Sequence, residues 1–145
     1  MEMTSDDTSI DEVVESYRTS VYEKNVDAFV ALYREDVIVF DMWGLWSYEG
    51  ADAWRAMAVE WFGSLSDDRV EVRFEDVRTH ITGEVCVLHA FITVTGLSAE
   101  GEKMRSMNNR LTWALQKGSD GKWQIFHEHT SAPADFETGK VTLGR

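Results

Sequence analysis

Asp41 closes the β-branched run Val37-Ile38-Val39-Phe40 and is followed by Met42 and Trp43. A carboxylate at the end of an apolar strand is partly withdrawn from water. That disfavours its charged form and raises its pKa toward the range of a general base. The same placement suits a second role, capping the turn into Met42-Trp43-Gly44, because aspartate side chains bond backbone two residues on. Tyr17 shares a helical stripe with Ile10, Val13, Val14 and Val21. A phenol buried on that stripe needs a partner, either an oxygen such as Asp41 or a backbone carbonyl. Glu128, among Phe126, His127, His129 and Thr130, is a second carboxylate whose pKa would rise if it faces inward.

His127 and His129 are two apart on a strand and point to one side, in phase with Trp123 and Ile125. Two imidazoles do not make a metal site, which needs three or four ligands, and no third lies nearby in sequence. Arg110 is the one basic residue in the uncharged stretch Met107 to Gln116. It suits either an ion pair at a subunit interface or a bidentate grip on a carboxylate ligand. Trp43, Trp46, Trp54, Met57, Trp61, Phe91 and Trp113 could wall a pocket, although large aromatics serve equally as core. Cys86, within Val85-Cys86-Val87-Leu88, reads as a buried inert thiol. Without a Gly-rich phosphate loop or a complete ligand set, no cofactor and no metal are expected.

The elements that must position these residues come as helices first and strands later, an α+β order. Ser9-Ile10-Asp11-Glu12 has the form of a capping box, which starts helix 1 and leaves residues 1–8 as a flexible acidic lead. Asn25 can cap a short helix with Phe29, Leu32 and Tyr33 on one side. Val37–Phe40 is a first strand, Met42–Gly50 a loop or small hairpin, and Trp54 to Leu65 the stripe of a third helix. Val70, Val72 and Phe74 alternate, and the phase then slips near Glu75-Asp76, as a β-bulge would make it. Turns at Thr82-Gly83, Ala99-Glu100-Gly101 and Gly118–Gly121 separate long strands over about 84–97, 103–116 and 123–131. Such hairpins imply an antiparallel meander. Helices on one face of bent strands would form a cone with an open end, over residues 9–133, and a tail over 134–145.

With 145 residues the chain suits one domain. A net charge of −12 argues against a nucleic-acid partner, which calls for clustered Lys and Arg. No apolar run approaches the roughly 20 residues of a membrane span. The polar N-terminus and a single cysteine fit a soluble protein of a reducing cytoplasm.

The stretches Val13–Tyr17, Asp27–Tyr33 and Val39-Phe40-Asp41 resemble the opening of ketosteroid isomerases. In those enzymes a helix-1 tyrosine donates to the oxyanion and an aspartate closing the first strand shuttles the proton; Tyr17 and Asp41 fall in those places. The second oxyanion donor of that family, a protonated aspartate on a later strand, has no match, and Asn109 is the nearest polar residue. The stretch Asp120 to Pro133 is similar to the closing strand of SnoaL-like (DUF4440-type) proteins and of the calcium/calmodulin-dependent protein kinase II association domain. Together these resemblances imply the NTF2-like cone with a central pocket. They place His89, in phase with Val85, Val87, Phe91 and Thr93, on the concave side, where it would relay protons or simply fill the core. They place His127 and His129 on an outer face that packs, with Arg110, against a second subunit. Gln124, Phe126, Glu128 and Thr130 would then line the cone; reversed faces would put the histidines inside.

Two functions follow. One is an acid–base enzyme of isomerase, dehydratase or cyclase type acting on an apolar carbonyl compound. Asp41 is its base, and Tyr17 with Asn109 or His89 polarises the carbonyl. The other is a non-catalytic homodimeric binding or assembly domain.

Overall fold

The structure, a computed structural model, describes residues 4–145. Helix α1 spans Ser5–Glu23. Its N-cap is Thr4: the Thr4 hydroxyl oxygen accepts from the Asp7 N–H at 3.1 Å, and the Asp7 carboxylate accepts from the Thr4 N–H at 3.2 Å. This reciprocal box starts the helix more than a turn before Ser9, so residues 5–8 are helical rather than a flexible lead. A Lys117–Asp6 ion pair of 3.0 Å fastens that first turn to the sheet. Helix α2, Val26–Val30, is capped by Asn25, as its sequence indicates. It stops short of Leu32 and Tyr33, and Tyr33 instead opens a strand. Helix α3 spans Ala51–Ser64.

The strands are β1 (Tyr33–Phe40), β2 (Tyr48–Glu49), β3 (Arg69–Thr82), β4 (Val85–Leu97), β5 (Lys103–Lys117) and β6 (Trp123–Ser131). They form one sheet in the order β2-β1-β6-β5-β4-β3. The meander β3–β6 is antiparallel, and β1 runs parallel to β6. The helices cover the concave face, and their apolar residues Ile10, Val21, Phe29 and Phe62 meet Val72, Leu88 and Leu115 in the core. No helix among the described residues is long and apolar enough to cross a membrane.

Two bulges decide which side chains face inward. In β3 the register shifts between Glu75 and Arg78, and Asp76 adopts φ 54°. This is the bulge that the slip in alternation marks. In β6, Leu115 of β5 opposes Ile125 while Ala114 opposes His127, so Phe126 is the extra residue. The bulge reverses the alternation, and Trp123, Ile125, Glu128 and Thr130 are all buried. His127 and His129 therefore turn outward and are not in phase with Trp123 and Ile125. Phe126, expected to line the cone, sits in the bulge outside the packed core.

The faces of β4 also differ from the sequence expectation. Cys86, Leu88, Ala90 and Ile92 are buried, whereas Val85 and Val87 remain 39% and 40% exposed. Hence His89 and Phe91 lie on the convex side, away from the cone interior. Both phases of this strand carry apolar residues, so alternation alone does not separate them. Cys86 is enclosed, and burial pushes its thiol up to about 11. Beyond β6 the tail doubles back. An Ala134–Val141 bridge and the Asp135 side chain, which accepts from the Glu137 and Thr138 N–H groups, shape its turn.

Candidate functional site

Glu128 is 1% exposed, opposite Trp113 on β5 and Val39 on β1. Its Oε1 accepts two bonds, from the Tyr33 hydroxyl at 2.6 Å and from the Trp113 indole N–H at 2.8 Å. No lysine or arginine among the described residues pairs with it. An unpaired buried carboxylate resists ionisation. Desolvation outweighs the two donors, and with the nearby Asp41 charge it raises Glu128 to about 7. Glu128 thus changes charge near neutrality.

Asp41 follows β1 and is half-buried. Its Oδ1 accepts from the Thr130 hydroxyl at 2.9 Å and its Oδ2 from the Trp43 N–H at 3.3 Å. Thr130 in turn accepts from the Met42 N–H at 2.9 Å. Asp41 therefore caps the turn and is also desolvated. Burial raises its pKa, and the bonds from Thr130 and the backbone oppose the rise. Thr130→Val keeps the shape but removes the hydroxyl. It should raise the Asp41 pKa further in a carboxyl-carbon NMR titration, while Thr130→Ser leaves it unchanged. An unshifted titration in the valine variant would show that this bond does not tune Asp41.

Tyr17 packs its ring against Phe29, Trp113 and Phe74 at centroid distances of 5.4, 5.5 and 5.7 Å. Burial raises its phenol well above the ordinary value, and the charges of Glu128 and Asp41 raise it further. Its hydroxyl makes no hydrogen bond to any described residue, contrary to the expected bond to Asp41 or a backbone carbonyl. Among the described residues three enclosed side-chain polar atoms lack a partner: Trp54 Nε1, Asn109 Oδ1 and Trp123 Nε1. The Tyr17 hydroxyl and Glu128 Oε2 likewise make no hydrogen bond to a described residue.

Sequence reasoning missed Tyr33 because its spacing from Phe29 and Leu32 suits a helix. Its pairing with Ile125 on a strand is what brings its hydroxyl to Glu128. Of the expected wall, Trp54 and Trp113 are buried, and Met57 and Trp61 pack on the core. Trp43 and Trp46 are 53% and 98% exposed on the β1–β2 loop. Asn109 lies on the inward phase opposite Ile92 but bonds to neither Tyr17, Asp41 nor Glu128. His89 stacks on His80 at 6.4 Å on the convex side and does not reach Asp41. His127 Nδ1 bonds to the Ile38 carbonyl at 2.8 Å, and Phe40 contacts both His127 and His129 edge-on. Among the described residues no three acidic, histidine or cysteine side chains converge as metal ligands. Two surface cavities of about 170 and 240 Å³ lie elsewhere, and neither is lined by Tyr17, Asp41 or Glu128. Tyr17, Phe74 and Trp113 pack together on the side of Glu128.

Solved structures share this architecture. An NTF2-like protein of unknown function from Pseudomonas putida KT2440 matches with a TM-score of 0.85 at 22% identity, over 99% of this chain and 97% of its own. Aln2 from a Streptomyces species matches with a TM-score of 0.78 at 14% identity, over 90% and 93%. ActVI-ORFA from Streptomyces coelicolor matches with a TM-score of 0.78 at 11% identity, over 88% and 97%. At these identities the likeness concerns the fold. No curated protein matches the sequence. The family match spans residues 10–135, which includes Tyr17, Tyr33, Asp41, Trp113 and Glu128, and by it the chain belongs to the SnoaL-like domain family.

Proposed function

We propose that this protein binds a small apolar carbonyl compound inside the cone and moves a proton on it, as an isomerase, dehydratase or cyclase does. One observation carries the reading: among the described residues Glu128 is buried without a cation and bonded through Oε1 alone, and the Tyr17 hydroxyl, close enough to feel its charge, has no hydrogen-bond partner. Protonated Glu128 and Tyr17 supply two O–H donors for one carbonyl oxygen. Asp41 takes the proton from the adjacent carbon, and the resulting enolate is held by the two donors. A carboxylic acid kept neutral by an apolar setting is the device of ketosteroid isomerases. On this reading Glu128 takes the donor place for which the sequence offers Asn109 or His89. Phe29, Phe74, Trp54 and Trp113 exclude water, and the half-buried Tyr17, Phe74 and Trp61 are the rings that must shift to admit a ligand.

Asp41→Asn tests the reading on a panel of enolisable aromatic ketones, followed by deuterium exchange at the α-carbon. Wild type is expected to exchange, with a rate that declines above about pH 7 as Glu128 ionises. The variant should lose about 10²–10⁴-fold, the usual worth of a positioned base, with its melting temperature nearly unchanged. Equal exchange in both proteins, or none above buffer, would sink the assignment.

The convex face supports a second role alongside this one. It exposes Phe40, Val85 and Val87 beside His127 and His129, a mix of apolar and polar groups suited to a homodimer contact. The buried free thiol of Cys86 fits a reducing compartment such as the cytoplasm.

A further inference from the structure

Strand β6 ends at Ser131, opposite Arg110 of β5. Upstream of Arg110, β5 loses that neighbour until the returning tail reaches it, where the Leu143 carbonyl accepts from the Asn108 N–H at 2.7 Å. The unpaired interval at Asn109 opens into a cavity of about 170 Å³ walled by Phe91, Asn109, Arg110, Ala132, Pro133 and Arg145. One charged side chain in its wall lacks an acidic partner among the described residues. Arg110 is anchored through Nε to the Ser131 hydroxyl oxygen at 3.0 Å, and among the described residues no carboxylate pairs with its guanidinium. This is so in a chain with 26 acidic and 14 basic residues. Its neighbour Arg145 is spent: it pairs with Asp76 at 2.9 Å and Glu75 at 3.7 Å, and stacks on Phe91 at 3.8 Å.

We propose that this cavity is a binding site for a small organic carboxylate, separate from the carboxylate pair inside the cone. The Arg110 guanidinium, held by Ser131 with its terminal nitrogens free, presents the planar fork that fits a carboxylate. Phe91, Ala132 and Pro133 give the ligand body an apolar seat. The volume falls below the roughly 300–1,000 Å³ of drug-sized pockets, so the occupant is about one ring with its carboxyl group.

Benzoate and its neutral isostere benzamide test this by amide and arginine-Nε NMR titration of the full chain. Benzoate should shift the Arg110 Nε resonance and the backbone amides of Phe91, Asn108 and Leu143 saturably, and benzamide should not. Arg110→Gln, a change at an exposed side chain, should weaken benzoate at least about tenfold, the worth of hydrogen bonds to a charged group. Arg110→Lys should fall in between, and Asp41→Asn should bind like wild type. The site is refuted if benzamide binds as well as benzoate, if Arg110→Gln binds unchanged, or if no saturable shift occurs at millimolar benzoate. Shifts confined to residues around Tyr17 and Glu128 would refute it too, and would instead place the anion inside the cone.

Discussion

Replacing Glu128 by glutamine is expected to flatten the pH dependence of stability between about pH 4.5 and 7. At pH 8 the variant should be about 3 kcal/mol more stable than wild type. The sign follows from burial. The folded-state pKa, about 7, lies above the ordinary 4.5 of an exposed glutamate. Between those values the folded chain keeps the proton and the unfolded chain releases it, so stability falls as pH rises. Below 4.5 both states are protonated and Glu128 contributes in full; above 7 the loss is complete. Glutamine carries no proton to lose, and its carbonyl oxygen can accept from Tyr33 and Trp113 as Glu128 Oε1 does. The other acidic residues are common to both proteins, so the difference between two urea-denaturation series isolates this one group. Parallel curves would mean that Glu128 titrates at its ordinary value. The proposed chemistry adds a second readout. The amide N–H still donates, so α-proton exchange should persist at a reduced rate and no longer decline above pH 7.

Glu128 also shows what the sequence could and could not convey. Helix α1, the meander and the β3 bulge were legible because each leaves a local trace: an apolar stripe, a glycine turn, a slip in alternation near Asp76. Asp41 was legible as a carboxylate at a strand end. Its partner was not, because Thr130 lies 89 positions away and only the parallel pairing of β1 with β6 brings the two together. The bulge at Phe126 left one trace, the adjacent apolar pair Ile125-Phe126, but that pair fits either face of β6. On this single extra residue depends whether Glu128 or the two histidines point into the cone. His89 was misplaced for a related reason: β4 is apolar on both faces, and only the packing of Leu88 and Ile92 under the helices shows which is inside. Tyr33 was hidden by a helical spacing that the chain abandons at Val30. Local pattern thus located the elements, and long-range register decided which carboxylates meet.

Trp113 joins the packing of the core to the charge of the site, and two substitutions separate those contributions. The indole is 0% exposed, lies against Tyr17 and Phe74 at 5.5 and 5.4 Å, and donates to Glu128. Trp113→Ala removes the ring together with its N–H and should cost about 3–5 kcal/mol even at low pH, as large-to-small core changes do. Trp113→Phe keeps most of the ring and deletes the N–H. Part of its cost, from lost volume, is independent of pH. The rest grows when Glu128 is ionised, since a bond to a charged group is worth about 1.5–3 kcal/mol against about 1 for a neutral one. The phenylalanine variant should therefore be less destabilised at pH 5 than at pH 8 in urea titrations, its Glu128 pKa pushed above about 7. An equal penalty at both pH values would reduce Trp113 to packing and leave Tyr33 as the only donor that matters to the charge. A penalty that grows with pH would show that one tryptophan both fills the cone and sets the pH at which its acid can donate.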